Sequence, residues 1–155
     1  MAAQYENLSS DLIWQISRKN NSYLCKRKQS GGVQFSRDPL NLTNKHSRKY
    51  AGFANAQAIG INADSPNTIG LTTKLPARAN KPAKSQQTAS FAASTPSRKL
   101  YKSVVNTTAK RGYRADLRAA AVARASAVKL AQQQKKERAA PKPRGAAARK
   151  AAESS

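Results

Sequence analysis

Residues 58–74 read Ala58-Ile59-Gly60-Ile61-Asn62-Ala63-Asp64-Ser65-Pro66-Asn67-Thr68-Ile69-Gly70-Leu71-Thr72-Thr73-Lys74. Ile59, Ile61 and Ala63 alternate with Gly60, Asn62 and Asp64, and Ile69, Leu71 and Thr73 alternate in the same way after the turn. A period of two marks strands with one buried face. Asp64-Ser65-Pro66-Asn67 between them is turn chemistry, because Pro presets φ while Asp and Asn bond their own backbone. The stretch therefore predicts an antiparallel hairpin, and the rest of the chain supplies what it packs against.

Upstream, residues 5–18 read as a short helix, with Ser9, Ser10 and Asp11 as N-terminal residues. Tyr5, Leu8, Leu12 and Ile16 fall on one face, with Ile13 beside them, and Arg18-Lys19 closes the helix. Tyr23 to Arg27 and Val33 to Ser36 are strand candidates joined through Ser30-Gly31-Gly32. Residues 37–44 are turn-rich, and Tyr50 to Ala54 is a further candidate strand interrupted by Gly52.

Downstream, residues 97–111 give the best helix, with Ser97 as its cap and Gly112 as its end. Leu100, Tyr101, Val104, Val105 and Thr108 occupy one arc, and Arg98, Lys99, Lys102 and Lys110 the opposite one. An Ala-rich helix follows from Asp116 to about Gln134, supported by intrinsic helicity more than by amphipathicity. Its apolar face holds Leu117, Ala121, Ala125 and Val128. The predicted fold class is α+β: a small antiparallel β-sheet packed with an N-terminal helix and two C-terminal helices, with extended basic arms.

The charge decides the partner class. The 155 residues carry 29 Lys+Arg against 7 Asp+Glu, a formal net charge of +22. Like charges repel in a compact chain, so such an excess calls for a polyanion. Between Asp38 and Asp116 the lone acid is Asp64. The basic runs are Lys26-Arg27-Lys28 with Arg37, Lys45 with Arg48-Lys49, and Arg78 with Lys81 and Lys84. Further along come Arg98-Lys99 with Lys102, Lys110-Arg111 with Arg114, Arg118 with Arg124, and Lys135-Lys136 with Arg138. They fall on every predicted element. A DNA-reading module concentrates its contacts on one recognition helix and an arm. Charge on many faces fits folded RNA, whose phosphates and shape are met from several sides. These cations, together with Tyr50 and Tyr113 as stacking or core residues, form the expected RNA-binding set.

The organisation follows from composition. Residues 1–75 form a small α+β RNA-binding domain. Residues 76–96, with Pro76, Pro82 and Pro96 and Phe91 as the one large apolar residue, read as an extended basic linker that orders against something else. Residues 97–134 hold the two basic helices, and residues 135–155 a disordered basic tail.

Other functions find little support. His46 stands alone as a histidine in a Lys/Arg-rich loop, so it reads as solvated or RNA-facing rather than as a general base. One Cys and one His cannot hold a structural zinc, so no metal or cofactor is expected. Cys25 reads as a core thiol, Gly31-Gly32 as a turn rather than a phosphate loop, and Trp14 as a packing residue with base stacking as the alternative. No apolar run reaches the length of a membrane span, and no secretory signal or small-molecule site is expected.

Four stretches in order then carry a likeness: Asp11-Leu12-Ile13-Trp14, Tyr23-Leu24-Cys25-Lys26-Arg27, Arg37-Asp38-Pro39-Leu40-Asn41-Leu42 leading to Ser47-Arg48-Lys49-Tyr50, and Tyr113-Arg114-Ala115-Asp116-Leu117-Arg118. Over roughly residues 8–130 the chain resembles the eukaryote-specific large-ribosomal-subunit protein twenty-eight family. Residues 76–96 match least, and Ala115 stands where family members often have proline. A nucleolar assembly factor, the killer-maintenance protein sixteen, resembles the same domain but is longer, ends acidic and has several cysteines where this chain has one. The resemblance implies a structural constituent of the cytosolic large subunit. It also implies ribosomal RNA and neighbouring large-subunit proteins as partners, and nucleolar passage during assembly. An assembly factor is the alternative, and a chromatin or DNA-packaging protein a more distant one.

Overall fold

The computed structural model describes residues 8–133 and 144–146. The element order is α1 (Ser10–Ser17), β1 (Leu24–Lys26), β2 (Gln34–Ser36), β3 (Ile59–Ser65), β4 (Thr68–Lys74), β5 (Gln86–Ala92), α2 (Ser97–Thr107) and α3 (Arg118–Gln132). β1 and β2 form one antiparallel pair, and β3, β4 and β5 form an antiparallel sheet in that order. The α+β class expected from the sequence is the observed one.

The hairpin at 58–74 is the centre of the molecule. Ile59 pairs with Thr73 and Ile61 with Leu71, so the alternating apolar residues lie on one face. The core joins Ile59, Ile61, Ile69 and Leu71 to Leu42, to Leu100 and Val104 of α2, and to Leu117, Ala121 and Ala125. Small alanines on α3 let that helix lie close to the sheet, and both Ala121 and Ala125 are fully buried. The other face of the hairpin is met by the loop 38–42. A Cβ on Gly60 would lie 2.5 Å from the Pro39 carbonyl oxygen, and one on Gly52 only 2.3 Å from Leu40 Cβ. Glycine is required at both positions by close approach.

Residues 76–96 differ from the expected linker. Two 3-10 turns, Pro76–Arg78 and Pro82–Lys84, lead into β5, which pairs with β4 from Thr68↔Ala92 to Lys74↔Gln86. Ser85 is buried at the start of the strand and Phe91 packs against the core. The segment orders against its own sheet.

Several boundaries also move. α1 begins at Ser10, capped by Ser9, whose hydroxyl accepts from the Leu12 amide at 3.1 Å. Residues 5–7 lie outside the described residues. α1 packs through Ile13, Trp14 and Ser17, while Leu12 and Ile16 are 46% and 74% exposed, so its most regular apolar stripe faces outward. Residues 50–54 are not a strand but a turn in which the Tyr50 and Ala51 amides both donate to the Ser47 carbonyl. Cys25 is half-buried rather than a core thiol. α2 starts with Ser97 inside the helix and Pro96 at the cap position. Asp116 lies in a 3-10 turn, Ala115–Leu117, ahead of α3.

Tyr113 fastens this turn to the sheet. Its hydroxyl donates to the Lys74 carbonyl at 2.6 Å and accepts from the Ala58 amide at 3.1 Å. Burial pushes the phenol above its ordinary value. Tyr113→Phe is expected to destabilise the chain by about 1–3 kcal/mol, since buried backbone partners lose their hydrogen bonds. A group whose folded pKa is raised contributes stability that is full below its unfolded pKa and lost as pH rises through the folded one. The gap between wild type and Tyr113→Phe, read by urea denaturation, should therefore narrow as pH rises beyond the ordinary tyrosine value of 10.0.

Candidate nucleic-acid interface

The expected cations divide into two groups. Lys26, Arg27 and Lys28 line the end of β1 and the turn after it, and Arg37 follows β2; all four are exposed. Lys45 and Lys49 project from the loop between β2 and β3, with Lys49 Nζ 5.7 Å from the Tyr50 ring centroid. Arg78, Lys81 and Lys84 are exposed on the two proline turns. Arg98, Lys99 and Lys102 stand on the outer arc of α2, opposite buried Leu100 and Val104. Lys110 and Arg111 are exposed in the turn after α2, and Arg118 at the start of α3. Lys135, Lys136 and Arg138, and most of the tail 135–155, lie outside the described residues.

The second group is committed within the chain. Arg48 donates to Asp11 Oδ1 at 2.7 Å, to the Ser10 hydroxyl at 2.7 Å and to the Asn55 side-chain oxygen, tying α1 to the loop. Arg114, itself at φ 47°, grips both carboxylate oxygens of Asp116 at 2.9 and 3.0 Å and the carbonyls of Gln57 and Lys49. This guanidinium holds the Asp116 carboxyl below its usual range. Arg124 reaches the Ile61 carbonyl at 3.1 Å and the Asn62 side chain at 3.4 Å. Tyr50 and Tyr113 pack against the core. For these five residues the internal role is the one the contacts give.

Two lysines outside the expected set are also internal. Lys74 Nζ donates to the Asn55 carbonyl at 2.9 Å and the Gly52 carbonyl at 3.4 Å. Burial pulls its pKa down, partly opposed by Asp38. Lys129, also buried, donates to the Thr95 carbonyl.

The described acids explain the one-sided surface. Asp11 and Asp116 pair with Arg48 and Arg114. Buried Asp38 accepts from the amides of Leu40 and Phe53. Asp64 alone among the described acids lies on the exposed hairpin tip without an ion pair. The exposed cations of the first group thus have no ion-pair partner among the described residues, although Asp11, Asp64 and Asp116 are themselves exposed.

Sequence reasoning named Trp14, Lys26 and His46 singly and passed over the cluster they form. Trp14, Arg18, Lys19, Lys26, Gln34 and His46 surround a pocket of about 450 Å³. Arg18 and Lys19 read as helix-closing residues, yet Arg18 stands one turn beyond Trp14 and shares its side of the helix. Among the described residues no three His, Cys, Asp or Glu side chains gather as a metal site, and no helix is long and apolar enough to cross a membrane.

The sequence of residues 12–131 matches the Ribosomal L28e protein family. Large ribosomal subunit protein eL28 of Schizosaccharomyces pombe is 44% identical over 131 residues, covering 84% of this chain and 97% of that protein. The protein of the same name from Dictyostelium discoideum is 37% identical over 135 residues, covering 87% and 97%. That of Caenorhabditis elegans is 38% identical over 66 residues, covering 42% and 51%.

Proposed function

The chain belongs to the Ribosomal L28e protein family, and from that premise we propose that it is a structural constituent of the cytosolic large ribosomal subunit that binds and stabilises ribosomal RNA. Its mechanism is neutralisation of phosphate repulsion where RNA segments approach one another. The observation that carries it is the division of cations just described. Those not needed to hold the fold point outward from β1, both proline turns, α2 and the start of α3. Three of the four described acids bond within the chain, and among the described residues these cations have no ion-pair partner.

Each phosphate neutralised releases counterions, so affinity falls steeply with salt. The partners are ribosomal RNA and adjoining large-subunit proteins, and the chain passes through the nucleolus during assembly. Binding of the purified chain to a structured ribosomal RNA fragment should weaken at least a hundredfold between roughly 0.1 and 0.5 M salt. A flat response would overturn the phosphate mechanism. Arg98→Ala with Lys99→Ala should reduce the salt slope by about two, one for each phosphate left without its cation.

A further inference from the structure

The pocket formed by α1, the β1–β2 pair and the loop before residue 47 has a composition unlike the rest of the surface. One wall is aromatic: Trp14 and His46 lie with ring centroids 4.8 Å apart at 40°, and Phe53 backs Trp14 at 6.2 Å. The rim is cationic, with Arg18, Lys19 and Lys26, all exposed. Gln34 adds an amide with both donor and acceptor capacity.

The hydrogen bonds show which groups remain available. The end of α1 leaves carbonyls unpaired, and these are taken by neighbouring side chains. His46 Nε2 lies 2.8 Å from the Arg18 carbonyl, and Lys26 Nζ donates to the Lys19 carbonyl at 2.8 Å. A carbonyl only accepts, so His46 carries its proton on Nε2. The helix-end acceptors are thereby turned toward protein. The guanidinium of Arg18 and the ammonium of Lys19 have no acidic partner among the described residues.

We propose that this pocket binds an unpaired nucleotide of an RNA strand, its base stacked against the Trp14–His46 wall and its phosphate held by Arg18, Lys19 and Lys26. The proposal rests on the RNA-binding reading above and names one site within it. Aromatic rings, a cationic rim and an amide at one edge answer the three parts of a nucleotide: base face, phosphate and base edge. The volume of about 450 Å³ suits a ligand of that size. A base inside a duplex hides both faces in its stack, so the aromatic wall selects unstacked nucleotides, whereas the exposed lysines elsewhere do not.

Trp14 is the one tryptophan of the chain, so its fluorescence reports on this pocket alone. The full chain is titrated with an end-labelled single-stranded RNA of about a dozen nucleotides and with a duplex of equal length. Labelled-RNA anisotropy follows binding, and Trp14 emission follows the site. The expected result is binding of both, with Trp14 quenched by the single strand and little changed by the duplex. Arg18→Ala with Lys19→Ala should weaken single-strand binding roughly tenfold and duplex binding far less. Trp14→Phe should retain most of the affinity that Trp14→Ala loses, a loss of roughly 5- to 150-fold.

Single-strand binding by anisotropy with Trp14 emission unchanged would overturn the proposal while leaving RNA binding intact. So would equal quenching by the duplex, or unaltered affinity in the Arg18/Lys19 variant, which keeps the buried contacts of α1. Absence of binding to either RNA overturns the broader reading and this site with it. Free adenosine monophosphate that quenches as strongly as the single strand, at equal concentration, would instead mark a small-molecule site and overturn the assignment to an RNA strand.

Discussion

Gly52→Ala is expected to destabilise the chain by about 3 kcal/mol, the upper part of the range for an overfilled core. Gly52 has no left-handed backbone, so the cost comes from space alone. The added Cβ would lie 2.3 Å from Leu40 Cβ, 2.8 Å from the Leu40 carbonyl oxygen and 3.0 Å from Asp38 Oδ2. Two of these atoms cannot swing aside, because one is backbone and the other sits at a branch from it. Asp38 makes retreat harder, since its carboxylate accepts from Leu40 at 2.9 Å and from Phe53 at 3.1 Å, on both sides of the contact. Denaturant unfolding of the purified chain should show a lower midpoint with an unchanged slope. A loss under about 1 kcal/mol would mean that the loop 38–42 is not seated where the structure places it.

Leu100→Ala is expected to cost a similar amount, about 3–4 kcal/mol, for the opposite reason. Leu100 is fully buried, and removing its branched end leaves a hole in the core cluster it shares with Ile59, Leu71, Val104 and Ala121, which the helices can close only in part. For a chain of this size the melting temperature should fall by about 10 °C. The same helix presents Arg98, Lys99 and Lys102 outward, so loosening it also blurs the positions of three cations. Leu100→Met, which nearly conserves volume, should recover most of the loss. Equal loss in Leu100→Met and Leu100→Ala would assign the effect to shape rather than to the cavity.

Much of the architecture was legible from residue patterns. The alternation of Ile59, Ile61, Ile69 and Leu71 around Ser65-Pro66 marked the central hairpin, and the Leu100–Val104 spacing marked the inner face of α2. β5 was hidden because an edge strand covers the core with few residues. In Gln86-Gln87-Thr88-Ala89-Ser90-Phe91-Ala92, Phe91 and Ala89 face inward opposite Ile69 and Leu71, and the rest stays polar. Three prolines around it pointed to an unfolded arm, yet two of them open the short turns that aim the strand. α1 misled in another way, since its most regular stripe, Leu12 and Ile16, faces outward while Trp14 turns in toward Phe53.

The candidate interface was legible only as a class. Basic residues without acids pointed to phosphate, but Arg48, Arg114 and Arg124 are indistinguishable in sequence from the exposed ones. Their partners lie far along the chain: Arg114 meets Gln57, and Arg124 meets Ile61. Backbone carbonyls carry no sequence signature, so an arginine that serves one cannot be told from an arginine that serves solvent. The pocket beside Trp14 was missed for a related reason, because Gln34 and His46 join it only through the β1–β2 pairing and the loop that follows.

The pairings of Asp11, Asp38 and Asp116 carry a consequence for how such a chain can vary. Each of the three is a fastening: α1 to its loop, residues 38–40 to residue 53, and residue 114 to the start of α3. Among the described residues the exposed lysines and arginines, apart from Lys26 with its bond to the end of α1, carry no such fastening. Abundance and indispensability therefore run in opposite directions. The outward cations can be exchanged, moved or lost one at a time with the shape retained, whereas Arg48, Arg114 and Arg124 cannot. Asp11, Asp38 and Asp116 are the ones whose removal would leave the chain even more positive and, at the same stroke, less able to hold its form.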